Sequence, residues 1–166
     1  MKILAKVLFF LLFPLCGYST DKDIRPVADV RTQDIVKIDV RPNVTVRLAI
    51  FEPSIEPSGV VLLFPGGDGA GVNSFGGKYF GKISLGENFV VRTAPKFVEL
   101  GYVAVLIDTP SDHLSGMKKD YRWSRQHHDD IDMVVKYLQD RYTQKPLFLG
   151  AFSASNFSVA SMSVHY

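Results

Sequence analysis

The chain has 166 residues, with 19 basic and 17 acidic side chains and one cysteine. Residues 1–19 hold Lys2, Lys6, Cys16 and no acid, so the other 147 residues carry 17 basic and 17 acidic groups, are formally neutral and lack cysteine. That excludes a disulfide scaffold and a cysteine-based metal site, and it gives no support to a globally basic nucleic-acid binder.

Lys2 and Lys6 precede an apolar run from Val7 to Leu15, broken only by Pro14 and followed by the small residues Gly17 and Ser19. Charged, apolar and small segments in that order predict a secretory signal peptide, with cleavage after Ser19. The run is too short for a comfortable membrane span, which needs about 20 residues. The expected mature protein is therefore periplasmic or secreted, with no stable membrane anchor after cleavage. Residues 20–34 are polar and read as an N-terminal arm. Residues 35–166 are long enough for one domain with a sizeable core.

From Ile35 to Val40, apolar and polar residues alternate as in a half-buried strand. Arg41-Pro42-Asn43 is a turn signal, and Val44–Phe51 alternates again, so the two segments predict an antiparallel hairpin. Val60–Phe64 is continuously apolar, as expected of a strand covered on both faces. A long irregular stretch follows, with eight glycines between Gly66 and Gly86. So long a segment is usually functional or mobile. Arg92–Leu100 reads as a helix stopped by Gly101, and Tyr102–Ile107 as a second buried strand. Ile131, Val134, Val135, Leu138 and Tyr142 fall on one face of a helix predicted from about Ser124 to Tyr142. Pro146–Leu149 is a third buried strand, and a further helix begins near Asn156. Strand and helix thus alternate from residue 60. That predicts an α/β fold, with a mostly parallel sheet, flanking helices and right-handed crossovers, preceded by the hairpin.

Sites in open α/β sheets form beyond the carboxyl ends of the strands. Three such ends are visible: Pro65–Gly71, Asp108–His113 and Gly150–Ser155. In the third, a buried strand runs into serine and then a helix. A nucleophile elbow needs small residues two before and two after its serine, because the strand-to-helix turn is crowded. Ser153 meets this with Ala151 and Ser155; Ser155 itself would have Phe157 there. A serine at this place can equally cap a helix. At the first strand end, Pro65-Gly66-Gly67-Asp68-Gly69 occupies the position of an oxyanion loop, where glycine lets backbone N–H groups approach a developing negative charge. Gly67 and Ala154 are the expected N–H donors. Gly76–Ile83 nearly matches a phosphate loop through Gly81-Lys82, but Ile83 stands where Ser or Thr is needed.

Phe64–Gly67, Asn88–Arg92, Gly101–Val105, Asp108–Asp112 and Leu149–Ala160 together resemble the secreted branch of the α/β-hydrolase superfamily. Members of that branch read Gly-Thr-Ser-Arg-Gly-Thr-x-Ser where residues 151–158 here read Ala-Phe-Ser-Ala-Ser-Asn-Phe-Ser, so both elbow glycines and the arginine are replaced. The resemblance implies a serine hydrolase acting on a small-molecule ester or amide, with Ser153 as nucleophile and no cofactor or metal. The alternative is a non-catalytic secreted binding protein with a degenerate hydrolase fold.

A serine nucleophile needs a base, and the base an orienting acid. In this superfamily both follow the serine in the chain. Only 13 residues follow Ser153, none of them acidic. His165 is twelve positions on, about 18 Å along a helix, too far to reach back. The expectation is a C-terminally truncated hydrolase whose triad acid and base are missing from this chain and whose sheet keeps one unpaired edge. His127, on the apolar helix face, is expected to be partly buried and hydrogen-bonded, and His128 to pair with Asp132 one turn away. A metal site among His127, His128, Asp129 and Asp130 is not expected, because adjacent helical residues splay apart. Asp112-His113 could border a substrate pocket, though it precedes the serine.

Overall fold

A computed structural model describes residues 30–69 and 88–163. The leader, all but the last five residues of the N-terminal arm, the phosphate-loop-like Gly76–Ile83 and His165 lie outside the described residues.

Five strands form one sheet: β1 (Val30–Arg41), β2 (Val44–Pro53), β3 (Gly59–Phe64), β4 (Tyr102–Ile107) and β5 (Leu147–Ala151), in the order β1-β2-β4-β3-β5. The helices are α1 (Phe89–Glu99), α2 (Lys119–Arg122), α3 (Arg125–Arg141) and α4 (Asn156–Ser163), the last entered through a 3-10 turn at Ser153–Ser155. This is the α/β sheet with flanking helices that the alternation predicts. None of the described helices is long and apolar enough to cross a membrane.

The hairpin forms with Asn43 at φ 60, a backbone region asparagine tolerates, and β1 pairs antiparallel with β2. β1 starts five residues earlier than its alternation suggests, because backbone pairing carries it back to Val30 opposite Pro53. The hairpin joins the rest through β2, which pairs antiparallel with β4. β4, β3 and β5 are mutually parallel, and among the described residues β5 pairs with β3 alone.

Every residue of β3 is buried, as its unbroken apolar run requires. One face of the sheet packs on α3 and α4 through Leu48, Leu62, Val105, Ile131, Leu138 and Met162. The other packs on α1 through Phe51, Leu63, Leu106, Val91 and Ala94. The result is three layers, with helices on both faces. Asn88 caps α1, its Oδ1 accepting from the Val90 N–H at 3.1 Å, which starts the helix three residues before its apolar spacing suggests. Gly101 follows at φ 82, the left-handed stop that glycine supplies most cheaply. Ser124 caps α3 by accepting from the His127 N–H at 3.1 Å.

Candidate functional site

β3 is followed by α1 on one face of the sheet, whereas β5 is followed by α4 on the other. The carboxyl ends of β3 and β5 therefore form a switch point, the place where open α/β sheets bind ligands. Residues 65–69 and Phe152–Ser155 meet there.

Phe152 is still extended, with φ −144° and ψ 140°. Ser153 then turns to φ 62° and is exposed. A non-glycine residue in the left-handed region costs about 1–2 kcal/mol, so the surrounding structure must hold it there. Ser155 provides that hold. Its fully buried hydroxyl accepts from the Phe152 N–H at 2.9 Å and donates to the Phe152 carbonyl at 2.8 Å. Size alone admits Ser155 in the sequence pattern; its two bonds across the turn are what the pattern does not reveal.

Gly66 lies directly against this elbow. A Cβ at Gly66 would come within 2.8 Å of the Phe152 carbonyl oxygen and 3.4 Å of the Ser153 Cβ, so only glycine fits without movement. Gly67 adopts φ 65°, with open space where a side chain would go. Among the described residues the Gly67 N–H has no hydrogen-bond acceptor. Ala154 directly follows the left-handed serine. Gly67 and Ala154 are thus the chain neighbours of two residues in close approach, Gly66 and Ser153.

Behind the loop lies a buried polar group that sequence reasoning missed in part. Arg122 is 1% exposed. Its Nη2 donates to the Gly67 carbonyl and its Nη1 to the Ser158 hydroxyl, both at 3.1 Å. Ser158 also meets His127 Nε2 at 2.9 Å. Burial first, then the nearby charges of Arg122, His113 and His128, pushes His127 down to about 3, so the imidazole is neutral at ordinary pH. Ser158 Oγ thus accepts from Arg122 and shares a second hydrogen bond with the neutral His127. His127 is thus hydrogen-bonded, as its place on the apolar face suggests, and buried more completely than that place alone implies.

The second strand end is occupied differently. His113 Nδ1 is 2.9 Å from Asp112 Oδ1, and the His113 ring stacks on Tyr121 with centroids 3.7 Å apart. Arg41 Nη2 bonds Asp112 at 3.0 Å, and Arg41 Nε bonds the buried Asp130 at 2.6 Å. The Asp130 bond, working against burial, raises Arg41 further above its ordinary value. Partial burial opposes ionisation of Asp112, but its bonds to His113 and Arg41 outweigh that and lower it. These groups latch the end of β1 to α3 and to the loop after β4.

On α3, His128 Nδ1 lies 3.5 Å from Asp132, as the one-turn spacing suggests. The possible ligand atoms of His128, Asp129 and Asp132 lie within 4.8 Å of one another. Asp129 already pairs with Arg125 at 2.7 Å, and both acids are well exposed, so this group reads as a surface ion network.

No family model and no curated protein matches the chain. Among solved structures, it is similar to a polyethylene-glycol-bound cold-adapted esterase from an Arctic intertidal metagenomic library, at 16% identity and a TM-score of 0.51, over 81% of this chain and 58% of that one. It is also similar to a protein from Bacteroides fragilis NCTC 9343 proposed to be an acetyl xylan esterase, at 17% identity and a TM-score of 0.50, over 76% of this chain and 39% of that one. The chain thus spans between about two fifths and three fifths of the length of these structures. At such identity the likeness is one of fold alone.

Proposed function

We propose that the chain is the nucleophile-bearing part of a secreted or periplasmic serine hydrolase, an esterase or related acyl hydrolase acting on a small-molecule ester. The observation that carries this reading is the left-handed backbone of Ser153, at φ 62° on the turn from β5 into α4. That conformation costs energy a simple helix cap would not need, and it leaves Ser153 exposed at the switch point.

In this reading Ser153 Oγ attacks the ester carbonyl. The Gly67 and Ala154 N–H groups receive the oxygen that becomes negative in the tetrahedral intermediate. Glycine at 66 lets the oxyanion loop approach the elbow closely enough to serve it. In this reading no acid and base for Ser153 are assigned among the described residues. His127 bonds Ser158, His113 bonds Asp112 and stacks on Tyr121, and His128 lies beside Asp132.

Two experiments test the proposal. The 166-residue chain should hydrolyse p-nitrophenyl acetate no faster than its Ser153→Ala variant; serine-dependent turnover would place a base within the chain. Reading the gene past codon 166 tests for a strand-end acid and a later histidine in an open or frameshifted continuation, whose presence would support the hydrolase. A stop followed by unrelated sequence would instead favour a non-catalytic binding protein on the same fold.

A further inference from the structure

Among the described residues, Arg122 is a cation buried without a hydrogen-bonded carboxylate. Its bonds go to a backbone carbonyl and a hydroxyl, and its Nε has no partner. Desolvation is the largest influence on the guanidinium and lowers its pKa, with the more distant charge of Asp68 opposing it. Burying such a group is costly, and a well-packed apolar residue of similar size would avoid that cost. What the cation provides is a bridge. The two acceptors lie 55 and 36 positions away in the chain, one on the loop after β3 and the other on α4 behind the elbow.

The surroundings are built around the same side chain. A Cβ on Gly69 would come within 2.7 Å of Arg122 Nη2 and 2.6 Å of the Met117 methyl. The Gly69 N–H bonds the Gly66 carbonyl at 3.2 Å, and the Met117 N–H bonds the Asp68 carbonyl at 2.6 Å. Residues 66–69 are therefore held from behind by Arg122 and from the side by the loop after β4.

We propose that Arg122 is a positioning residue: its planar fork spans the Gly67 carbonyl and the Ser158 hydroxyl, and so fixes the loop that carries Gly67 at a set distance from the Ser153 elbow. Calling that loop an oxyanion loop rests on the proposed hydrolase reading; the clamp itself does not. A lysine cannot replace it, because a single ammonium on a flexible stem lacks the two-ended fork.

The test is nuclear magnetic resonance on the 166-residue chain, comparing wild type with Arg122→Lys, Arg122→Met, Ser158→Ala and Ser153→Ala. In Arg122→Lys, amide exchange at Gly69 and Met117 should accelerate at least tenfold, while the core amides of α3 stay within about twofold of wild type. Arg122→Met should behave likewise; if it does not fold, the lysine variant decides. In wild type the Arg122 Nη signals should be resolved and slowly exchanging. Ser158→Ala should release the Nη1 signal and leave the Nη2 bond to Gly67 intact, a pattern that mere loss of packing would not produce. Unchanged Gly69 and Met117 exchange in Arg122→Lys, or an equal rise throughout α3, would overturn the clamp. Ser153→Ala should change none of these signals. A chemically inert Ser153 would therefore defeat the hydrolase reading and leave the clamp standing.

Discussion

Gly66→Ala is the most informative change where loop and elbow meet. The new methyl carbon would stand 2.8 Å from the Phe152 carbonyl oxygen, whereas ordinary contact begins at 3.4 Å, so loop and elbow must separate by about 0.6 Å. The obstructing atom is backbone, and the Ser155 hydroxyl holds it at 2.8 Å. Overpacking of this kind costs about 1–3 kcal/mol. Gly67→Ala is the matched control. Nothing lies within 4 Å of its added methyl, but its φ of 65° costs an alanine about 1–2 kcal/mol. The two totals overlap, so a coupling measurement separates them. In urea unfolding, Gly66→Ala combined with Ser155→Ala should be non-additive by at least about 0.5 kcal/mol, because removing the brace frees the carbonyl to move aside. Gly67→Ala with Ser155→Ala should be additive. A Gly66→Ala variant as stable as wild type, or additive with Ser155→Ala, would refute the close approach of loop and elbow.

Three further outcomes follow from the same residues. Ser155→Ala removes both bonds to Phe152 and leaves its backbone groups without those partners, which should lower stability by about 1–3 kcal/mol in denaturant titration. Ser153→Gly relieves the left-handed strain and should raise stability by up to about 1 kcal/mol, while removing the hydroxyl on which the proposed chemistry depends. For His127 the folded value is depressed from 6.5 to about 3, first by burial and then by the charges around it. The unfolded chain therefore binds a proton that the folded chain refuses between those values. Its contribution should be constant above about pH 6.5 and fall by about 1.4 kcal/mol per unit as pH drops below that, a slope that His127→Gln should lose.

The elements with unbroken apolar runs were legible from sequence. β4 spans Tyr102–Ile107 as read, and β3 begins only one residue earlier, at Gly59, because a strand buried on both faces leaves no polar residue to blur its limits. The α3 boundaries were legible for a different reason, since Ser124 is both an effective cap and the residue before the apolar stripe. β1 was read short because Arg31, Thr32 and Gln33 break the alternation, yet backbone pairing with β2 does not depend on side-chain polarity at a sheet edge. α2 is a single turn of Lys119–Arg122, too short to have a period. The approach of the loop after β3 to the turn after β5 could be anticipated, since both follow neighbouring parallel strands. The roles of Ser155 and Arg122 could not. Ser155 acts through the geometry of one turn, and Arg122 through contacts 36 and 55 residues away that no local pattern encodes.

Covalent labelling tests the proposed chemistry most directly. A fluorophosphonate probe, applied to the product of the gene read beyond codon 166 and located by peptide mass spectrometry, should attach to Ser153 and to no other serine, with Ser153→Ala unlabelled. A folded protein that leaves Ser153 unmodified, or that takes the probe elsewhere, would contradict the hydrolase reading.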